Sequence, residues 1–468
     1  MSDTDLIQSL SAIVGQDAVL TGEAAAPYYT DWRGRFSGSA LAAVFPTDTQ
    51  QVAAVVKLCA AQQIPIVPQG GNTSLCGASV PLPQVPQLVL NLSRMNRVRS
   101  VDPVNYTMTV EAGCKLASIC EAAERAERLF PLGLTAIAPQ CEIGGNLSTN
   151  AGGIGVLRYG SARNLVLGIE VVLPDGRIWN GLRGLRKDNT GYDLKQLFIG
   201  AEGTLGVITA AVLKLYPRPR ATAVACVAVA SPDAAVRLLA HMRAACGEAL
   251  SAFELMSRSC LDLVFKHIEG AVEPFAQPYD WYVLIKAEDV QQVAPDVPLR
   301  NGLISFGDEV LEFDVTDDAA VAENWWKLRK NIAEAQKREG ISIKHDVSVP
   351  VSRVAEFIAR GTHALREAYP AIRIVAFGHM GDGNIHFNAS LPDAVQNVAF
   401  IAQHEVGVNK LVYGVVRELQ GSISAEHGLG QLKRITIRDY KDPIELDLMR
   451  TIKNALDPHG LMNPGKVL

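Results

Sequence analysis

The run Ile143-Gly144-Gly145-Asn146-Leu147-Ser148-Thr149-Asn150-Ala151-Gly152-Gly153 carries two pairs of glycines among asparagine and threonine. Two further glycine-rich runs, Pro68-Gln69-Gly70-Gly71-Asn72-Thr73-Ser74 and Gly200-Ala201-Glu202-Gly203-Thr204-Leu205-Gly206, fall with it inside about 140 residues. Because glycine lets backbone N–H groups turn toward a phosphate, the three runs together predict a backbone cradle for a diphosphate cofactor. None matches GxGxxG after a strand, and GxxxxGK followed by Ser or Thr is absent, so neither a Rossmann fold nor a P-loop is indicated.

Length and composition indicate the number of domains and the class of protein. At 468 residues the chain is too long for one core, since a single core stops growing beyond roughly 250–300 residues, and two or more domains are expected. A content of 48% hydrophobic and 20% charged residues is typical of a soluble globular protein. The net charge of −5, from 44 basic and 49 acidic residues, gives no electrostatic reason to expect a nucleic-acid partner.

Three features bear on location. No apolar run approaches the ~20 residues that a bilayer requires, so no membrane span is expected. The N-terminus, Met1-Ser2-Asp3-Thr4-Asp5, is acidic and lacks the basic region of a signal peptide. The eight cysteines are scattered and form no CxxC pair, which is typical of reduced thiols. We therefore expect a cytoplasmic location.

The second half of the chain changes from helical to strand-like periodicity. A helical pattern over 320–339 ends at Gly340. In the alternating run 341–346, the isoleucines fall on one face and Lys344 and Asp346 on the other. Runs 372–377 and 385–388 also alternate, on either side of Gly381-Asp382-Gly383-Asn384, and this arrangement predicts a hairpin.

The candidate metal-binding and catalytic residues are two histidines that flank that turn, His379 and His386, and the later pair Glu426-His427. In a hairpin the two imidazoles converge, and with one carboxylate they suit a divalent metal that keeps positions open for substrate: zinc, but also iron or manganese. His427 would remain free to accept a proton. Spacing alone leaves a second explanation open, because two hydrogen-bonded structural histidines in a tight turn fit it equally well.

Several motifs in order resemble the FAD-binding domain of the vanillyl-alcohol oxidase / p-cresol methylhydroxylase superfamily. They are the glycine-rich runs, Arg158-Tyr159-Gly160 and the segment 186–194. The second half resembles the D-2-hydroxyglutarate dehydrogenases. Its matching pieces are Trp326-x-x-Arg329, Lys344, Gly-His-x-Gly-Asp-Gly-Asn-x-His (378–386), Ala-Glu-His-Gly (425–428) and Asp-Pro-x-Gly-x-x-Asn-Pro (457–464). The resemblance covers the chain from about residue 40 to its C-terminus.

This resemblance implies an α+β fold in three parts. A two-part FAD-binding domain of the p-cresol methylhydroxylase type would span 1–217, an α+β substrate-binding cap domain with an antiparallel sheet 218–420, and a C-terminal segment packing on the FAD domain 421–468. The implied FAD-binding residues are Pro68, Gly70, Gly71, Asn72, Thr73, Ser74, Gly144, Gly145, Asn146, Thr149, Asn150, Gly152, Gly153, Tyr159, Glu202, Gly203, Gly206, Ile208 and Asn463. Some relatives link FAD covalently through a histidine on the first loop. Asn72 follows the glycines here and no histidine precedes His241, so that linkage is excluded.

The resemblance also assigns roles in the second half. His379, His386 and Glu426 would hold the metal, with zinc the usual ion, and His427 would be the catalytic proton acceptor. Arg329 and Lys344 would anchor substrate carboxylates and could together bind the distal carboxylate of a diacid, and His379 would also contact substrate. From the residues alone, an exposed helix arginine and a solvated strand lysine are the alternatives. Asn388, on the face of His386, could either hydrogen-bond the substrate or stabilise the turn. Relatives that act on 2-hydroxyglutarate tend to carry a threonine one helical turn after the arginine. Ala333 stands there in this chain, so recognition of the distal end is expected to differ in detail.

The implied activity is an FAD- and divalent-metal-dependent dehydrogenase that oxidises a D-2-hydroxy acid, with D-2-hydroxyglutarate to 2-oxoglutarate as the leading reaction. A D-lactate or glycolate dehydrogenase is the alternative within the family. A metallohydrolase and a noncatalytic flavin subunit are alternatives from other classes. The implied partners are a small-molecule hydroxy acid and an electron acceptor, either an electron-transfer flavoprotein or a quinone, and the implied assembly is a homodimer.

Overall fold

A computed structural model describes residues 2–134, 140–291 and 294–468. The first part of the chain carries small sheets and short helices. Its strands are β1 (Val19–Leu20), β2 (Ala42–Val44), β3 (Ile66–Gln69), β4 (Leu88–Asn91), β5 (Val98–Asp102), β6 (Thr107–Glu111), β7 (Arg128–Leu129), β8 (Val166–Val172), β9 (Ile178–Asn180), β10 (Val207–Lys214) and β11 (Tyr216–Pro217). Its α-helices are α1 (Asp3–Val14), α2 (Gly22–Ala25), α3 (Thr49–Gln62), α4 (Leu116–Arg125), α5 (Ile143–Ser148), α6 (Val156–Tyr159) and α7 (Lys195–Phe198).

These strands form two main sheets. One has the order β1-β2-β4-β3, with β2, β4 and β3 parallel, and the other has the order β5-β6-β10-β8-β9 and is antiparallel. Strand β10 is apolar along nearly its whole length because both of its faces are covered, and it is buried from Val207 to Leu213. The glycine-rich runs follow or flank these strands, so the two sheets position them side by side.

The second part is built on one larger sheet. Its strands are β12 (Ala221–Val229), β13 (Leu250–Ser257), β14 (Trp281–Asp289), β15 (Val310–Thr316), β16 (Asp346–Ser348), β17 (Arg373–His379) and β18 (Asn384–Ser390). Its helices are α8 (Pro232–Cys246), α9 (Arg258–His267), α10 (Asp296–Phe306), α11 (Ala319–Lys330), α12 (Ile332–Glu339), α13 (Val354–Ala368) and α14 (Ala394–Glu418). The strand order is β15-β12-β14-β13-β17-β18-β16, and all neighbours are antiparallel.

The predicted hairpin is present as β17 and β18, and the predicted α+β class with an antiparallel second sheet is confirmed. The helix predicted over 320–339 is divided at Asn331 into α11 and α12, and it ends at Gly340 as expected. The strand predicted over 341–346 is only a bridge between Ile343 and Ala389 before β16 begins. The ladder is interrupted there because the side chain of Asn388 accepts the backbone N–H of His345.

The C-terminal part returns to the first sheet. After α15 (Ile437–Tyr440) and α16 (Pro443–Leu456), the chain pairs beside β3 through a parallel bridge between Ile66 and Met462. The backbone N–H of Asn463 donates to the carbonyl oxygen of Ile66 at 2.8 Å. The last residues therefore lie against the loop that follows β3. The proposed boundaries at 217 and 420 stay a prediction.

Candidate active site

A cleft of about 310 Å³ lies where the glycine-rich runs face the large antiparallel sheet. Most predicted cofactor residues line it: Pro68, Gly70, Gly71, Asn72, Thr73, Ser74, Gly144, Gly145, Asn146, Thr149, Gly152, Gly153, Glu202, Gly203, Gly206 and Ile208. All predicted substrate and metal residues line it as well: Arg329, Lys344, His379, His386, Asn388, Glu426 and His427. Residues more than 300 positions apart in sequence are thus brought to one cavity.

Three predicted cofactor residues lie behind the wall of the cleft: Asn150, Tyr159 and Asn463. The side chain of Asn150 accepts the backbone N–H of Arg163 at 2.9 Å, and the Tyr159 hydroxyl donates to Glu288 at 3.3 Å. Asn463 Nδ2 donates to the carbonyl oxygen of Glu202 at 2.7 Å. Asn150 and Tyr159 therefore support the wall, whereas the Oδ1 of Asn463 is buried without a hydrogen-bond partner.

The hairpin brings the two histidines together. Phe377 of β17 lies opposite His386 of β18, so His379, two residues further along β17, shares the face of both. The rings of His379 and His386 have centroids 5.8 Å apart. The convergence predicted from the alternation is therefore confirmed.

A buried carboxylate on β13, Glu254, joins two of the predicted residues. Its Oε2 accepts a hydrogen bond of 2.8 Å from Arg329 Nε, and its Oε1 lies 2.7 Å from His379 Nδ1. This arrangement fixes the ring of His379 with Nε2 toward the cleft, as carboxylates behind metal-bound histidines commonly do. Arg329 also lies over the ring of Phe377, 4.9 Å from its centroid, and its Nη2 is buried without a hydrogen-bond partner.

A second buried carboxylate, Asp346, organises the loop that carries Glu426 and His427. Its Oδ2 accepts the backbone N–H groups of both residues at 2.9 Å and lies 3.5 Å from His427 Nδ1. Its Oδ1 accepts a hydrogen bond of 2.9 Å from Asn384 and lies 3.7 Å from His386 Nδ1. Asp346 is only 2% exposed, so it forms a fixed support under the cleft.

The same loop is attached to the first part of the chain. The backbone N–H groups of Leu429 and Gly430 donate to the carboxylate of Glu202, at 2.7 and 2.9 Å. Gly428, which precedes them, has φ +75°, and a Cβ there would lie 2.8 Å from that carboxylate. Glycine is therefore needed at this position both for the backbone angle and for the close approach.

Two sets of side chains have ligand atoms within 4.8 Å of one another: His379, His386 and Glu426, and Asp346, His386 and His427. The first set fits a divalent metal better. His379 Nε2 lies 3.3 Å from Glu426 Oε1, and Nδ1 of the same ring is occupied by Glu254. The oxygens of Asp346 already accept three hydrogen bonds, so they have less capacity to coordinate an ion.

Burial and neighbouring charges shift the pKa values of these groups in different directions. Burial lowers the pKa of His379, but the carboxylates of Glu254 and Glu426 outweigh it and raise the pKa to about 9. Burial raises the pKa of Glu426 to about 7. Burial lowers the pKa of His427 to about 4, although Asp346 acts in the opposite direction. His427 is therefore neutral near pH 7 and able to accept a proton.

The predicted carboxylate anchors differ in their surroundings. Lys344 Nζ makes no hydrogen bond or ion pair within the described residues, and burial, followed by the charge of Arg33, lowers its pKa to about 8. Asn388 is 4% exposed, and its side chain accepts from His345 and donates to Gln336. One N–H of the Asn388 amide is left over by these two bonds, and its contact with substrate stays a prediction.

Sequence reasoning assigned no role to Glu254 or Asp346. Asp346 stands on the predicted polar face of 341–346 beside Lys344, so the alternation already indicated its direction. Glu254 carries no local signal, since it lies 125 residues from its partner His379. Arg33 and Gln336 also line the cleft and were not predicted.

Comparisons with known proteins agree with this architecture. A family model described as "FAD linked oxidases, C-terminal domain" matches residues 218–467, and one described as "FAD binding domain" matches residues 40–181. A protein of Oryza sativa subsp. indica named "Probable D-2-hydroxyglutarate dehydrogenase, mitochondrial" is 36% identical over 470 residues, covering all of this chain and 82% of the relative. The Bos taurus "D-2-hydroxyglutarate dehydrogenase, mitochondrial" is 38% identical over 476 residues, covering all of this chain and 84% of the relative.

Solved structures extend the likeness of fold. A substrate-bound p-cresol methylhydroxylase superposes with a TM-score of 0.78 at 18% identity, covering 99% of this chain and 96% of that one. The predicted fold of the p-cresol methylhydroxylase type is therefore confirmed.

The predicted cytoplasmic location is contradicted. The relatives from rice, Arabidopsis thaliana, Bos taurus and Danio rerio are all named as mitochondrial. Within the described residues, no helix combines the length and apolar character needed to cross a membrane.

Proposed function

Because this chain belongs to the FAD-linked oxidases and is an FAD-dependent oxidoreductase of the D-2-hydroxyglutarate dehydrogenase family, we propose that it oxidises D-2-hydroxyglutarate to 2-oxoglutarate. The observation that carries the proposal is the meeting of His379, His386, Glu426 and His427 on one cleft with the glycine-rich runs. In this proposal a base, a metal site and a cofactor cradle all act on one small molecule bound in the cleft.

FAD, when bound, supplies the two-electron acceptor for the hydride at C2 of the substrate. The chain's own residues fit this cofactor, because the glycine-rich runs leave open backbone facing the cleft. A Cβ built on Gly145 meets nothing within 4 Å, and one on Gly71 would meet the carbonyl oxygen of Gln140 at 2.0 Å. The first observation shows free space beside the cradle, and the second shows why the loop requires glycine.

The proposed metal ligands are His379, His386 and Glu426, and a divalent ion held there would lower the pKa of the substrate hydroxyl. Their fit rests on the donor set and on the carboxylate of Glu254 behind His379. His427, kept neutral by burial, takes the hydroxyl proton. Asp346 holds this ring and its backbone in place.

Arg329 and Lys344 bind the carboxylates of the substrate in this proposal. Arg329 uses Nε for Glu254, and its Nη2 is buried without a protein partner. A buried guanidinium N–H without an acceptor costs free energy, and a substrate carboxylate removes that cost. An electron-transfer flavoprotein or a quinone as acceptor, and a homodimer as the assembly, stay predictions from the resemblance.

The test is anaerobic bleaching of the bound flavin by a panel of D- and L-2-hydroxy acids, with and without chelator. We expect D-2-hydroxyglutarate to bleach the flavin fastest and its L-enantiomer to leave it oxidised. Fastest bleaching by D-lactate or glycolate would favour the alternative within the family. A flavin that no hydroxy acid bleaches would contradict the proposed function.

A further inference from the structure

Arg33 is a cation on the cleft wall that the catalytic roles above leave unused. It lies on the turn 31–36 and lines the same cavity as Lys344, Ala333 and His427. Asp31, which is 3% exposed, holds the turn, because its side chain accepts the backbone N–H of Phe36 at 2.7 Å. The turn is therefore fixed without any help from the Arg33 side chain.

The guanidinium of Arg33 has no acceptor within the described part of the chain. It contacts the ring of Trp32, 5.5 Å from the centroid, but forms no hydrogen bond or ion pair there. Arg35, two residues later on the same turn, differs because it pairs with Glu405 at 3.1 Å. Arg33 is thus an exposed cation at the edge of the cleft without an acidic partner, whereas Arg35 is paired with Glu405.

Arg33 and Lys344 both line the cleft, and neither forms a hydrogen bond or ion pair with another residue that the structure describes. After burial, Arg33 has the largest effect among the charges that lower the pKa of Lys344, and it acts in the same direction on His427. Two cations that share a cleft repel each other in the free protein, and an anion bound between them removes that repulsion. A ligand whose negative charge lies near these two residues therefore relieves the repulsion most.

Lys330, next to Arg329 at the end of α11, also lines the cleft, but its ammonium group already pairs with Glu323 at 3.1 Å. Ala333 lines the cleft one helical turn later and offers only a methyl group. A second anionic group on the substrate must consequently find its hydrogen bonds on other segments. The planar fork of an arginine matches a carboxylate with two parallel N–H donors, and a lysine supplies a point charge.

We propose that Arg33 is a specificity-determining residue that, together with Lys344, binds the distal carboxylate of a dicarboxylic D-2-hydroxy acid. The inference rests on the proposed function and names the substrate class of that site. An acid without the distal carboxylate leaves both cations unpaired in the cleft and binds more weakly for that reason.

The experiment compares D-2-hydroxyglutarate with D-2-hydroxypentanoate, which has the same five-carbon chain without the distal carboxylate. The KM and kcat of both acids are measured for the wild-type holoenzyme, for Arg33→Ala and for Arg35→Ala as the matched control on the same turn. We expect Arg33→Ala to raise the KM for D-2-hydroxyglutarate about tenfold or more and to change the KM for D-2-hydroxypentanoate less than about twofold. Arg35→Ala should leave both values near wild type.

Two results would overturn the inference. One is an unchanged KM for D-2-hydroxyglutarate in Arg33→Ala, and the other is an equal rise for both acids. Flavin absorbance of each variant shows that the holoenzyme is intact. A wild-type flavin that neither acid bleaches would instead overturn the proposed function itself, and anaerobic bleaching separates that failure from the first two.

Discussion

Glu254 and His379 lie opposite each other on β13 and β17, and the Oε1 of Glu254 is 2.7 Å from the Nδ1 of His379. The same carboxylate is the ion-pair partner of Arg329. One buried acid therefore supports a candidate metal ligand and a candidate substrate anchor, although it touches neither metal nor substrate in the proposed mechanism.

Replacing Glu254 by glutamine should weaken metal binding by about 10–100-fold, because the ring of His379 loses the carboxylate that orients it. Metal content and metal titration of the purified protein measure this effect. Glu111→Gln is the matched control, since Glu111 is also buried and pairs with Arg97 far from the histidines. Equal metal affinity in both variants would contradict the supporting role of Glu254.

His427→Ala should lower kcat by about 10²–10⁴-fold while FAD remains bound, because the proton acceptor is lost and the cradle is untouched. The visible flavin spectrum shows whether FAD is retained, and anaerobic bleaching shows whether the substrate reduces it. His363→Ala serves as the control, because the His363 side chain is 82% exposed and lies on α13. Normal bleaching in His427→Ala would remove the base assignment.

Removal of the metal by a chelator should abolish turnover without release of flavin, since the proposed metal ligands are side chains of other segments than the glycine-rich runs. Activity and flavin absorbance are followed in the same sample, and added zinc or manganese should restore turnover. Full activity in protein shown to be free of metal would refute this prediction.

Substrate binding should weaken as pH rises through about 8, where Lys344 loses its charge, because burial and Arg33 lower its pKa to about 8. The group is charged below that pH and neutral above it, so the KM for D-2-hydroxyglutarate rises on the alkaline side. Lys344→Arg should flatten this rise, since a guanidinium keeps its charge. A wild-type KM that stays constant through pH 8–9 would argue against Lys344 as an anchor.

Gly145→Ala should weaken FAD binding about tenfold or more while the apoprotein keeps its stability within ~1 kcal/mol. A Cβ at Gly145 meets nothing in the protein and extends from a residue on the cleft wall, where the cofactor is proposed to lie. Gly414→Ala on α14 is the control, since its Cβ also meets nothing. FAD titration and thermal unfolding distinguish the two variants, and equal FAD affinity would place the cofactor elsewhere.

The glycine-rich runs and the hairpin were predictable because their signals are local. A pair of glycines indicates that another backbone segment lies close to the loop, as Gln140 does to Gly71. Alternation of apolar and polar residues indicates which side chains share a face of a strand. The alternation predicted that Lys344 and Ile343 lie on opposite faces, and in the structure Ile343 belongs to the core while Lys344 lines the cleft.

Glu254 could not be predicted, because its role depends on the register between β13 and β17. Register across a sheet is set by packing of distant segments, and a slip of one residue would turn the carboxylate to the opposite face. The interruption of the strand at 341–346 has a similar cause, since the Asn388 side chain replaces a ladder bond there.

The loop 426–430 is attached to both parts of the chain, through Asp346 on one side and Glu202 on the other. A movement of the large sheet away from the glycine-rich runs would break one of these two pairs of amide–carboxylate hydrogen bonds. It would also displace His427 from its position in the cleft. The loop therefore opposes a separation of the two halves, because such a movement would leave a buried carboxylate, Asp346 or Glu202, without its amide donors.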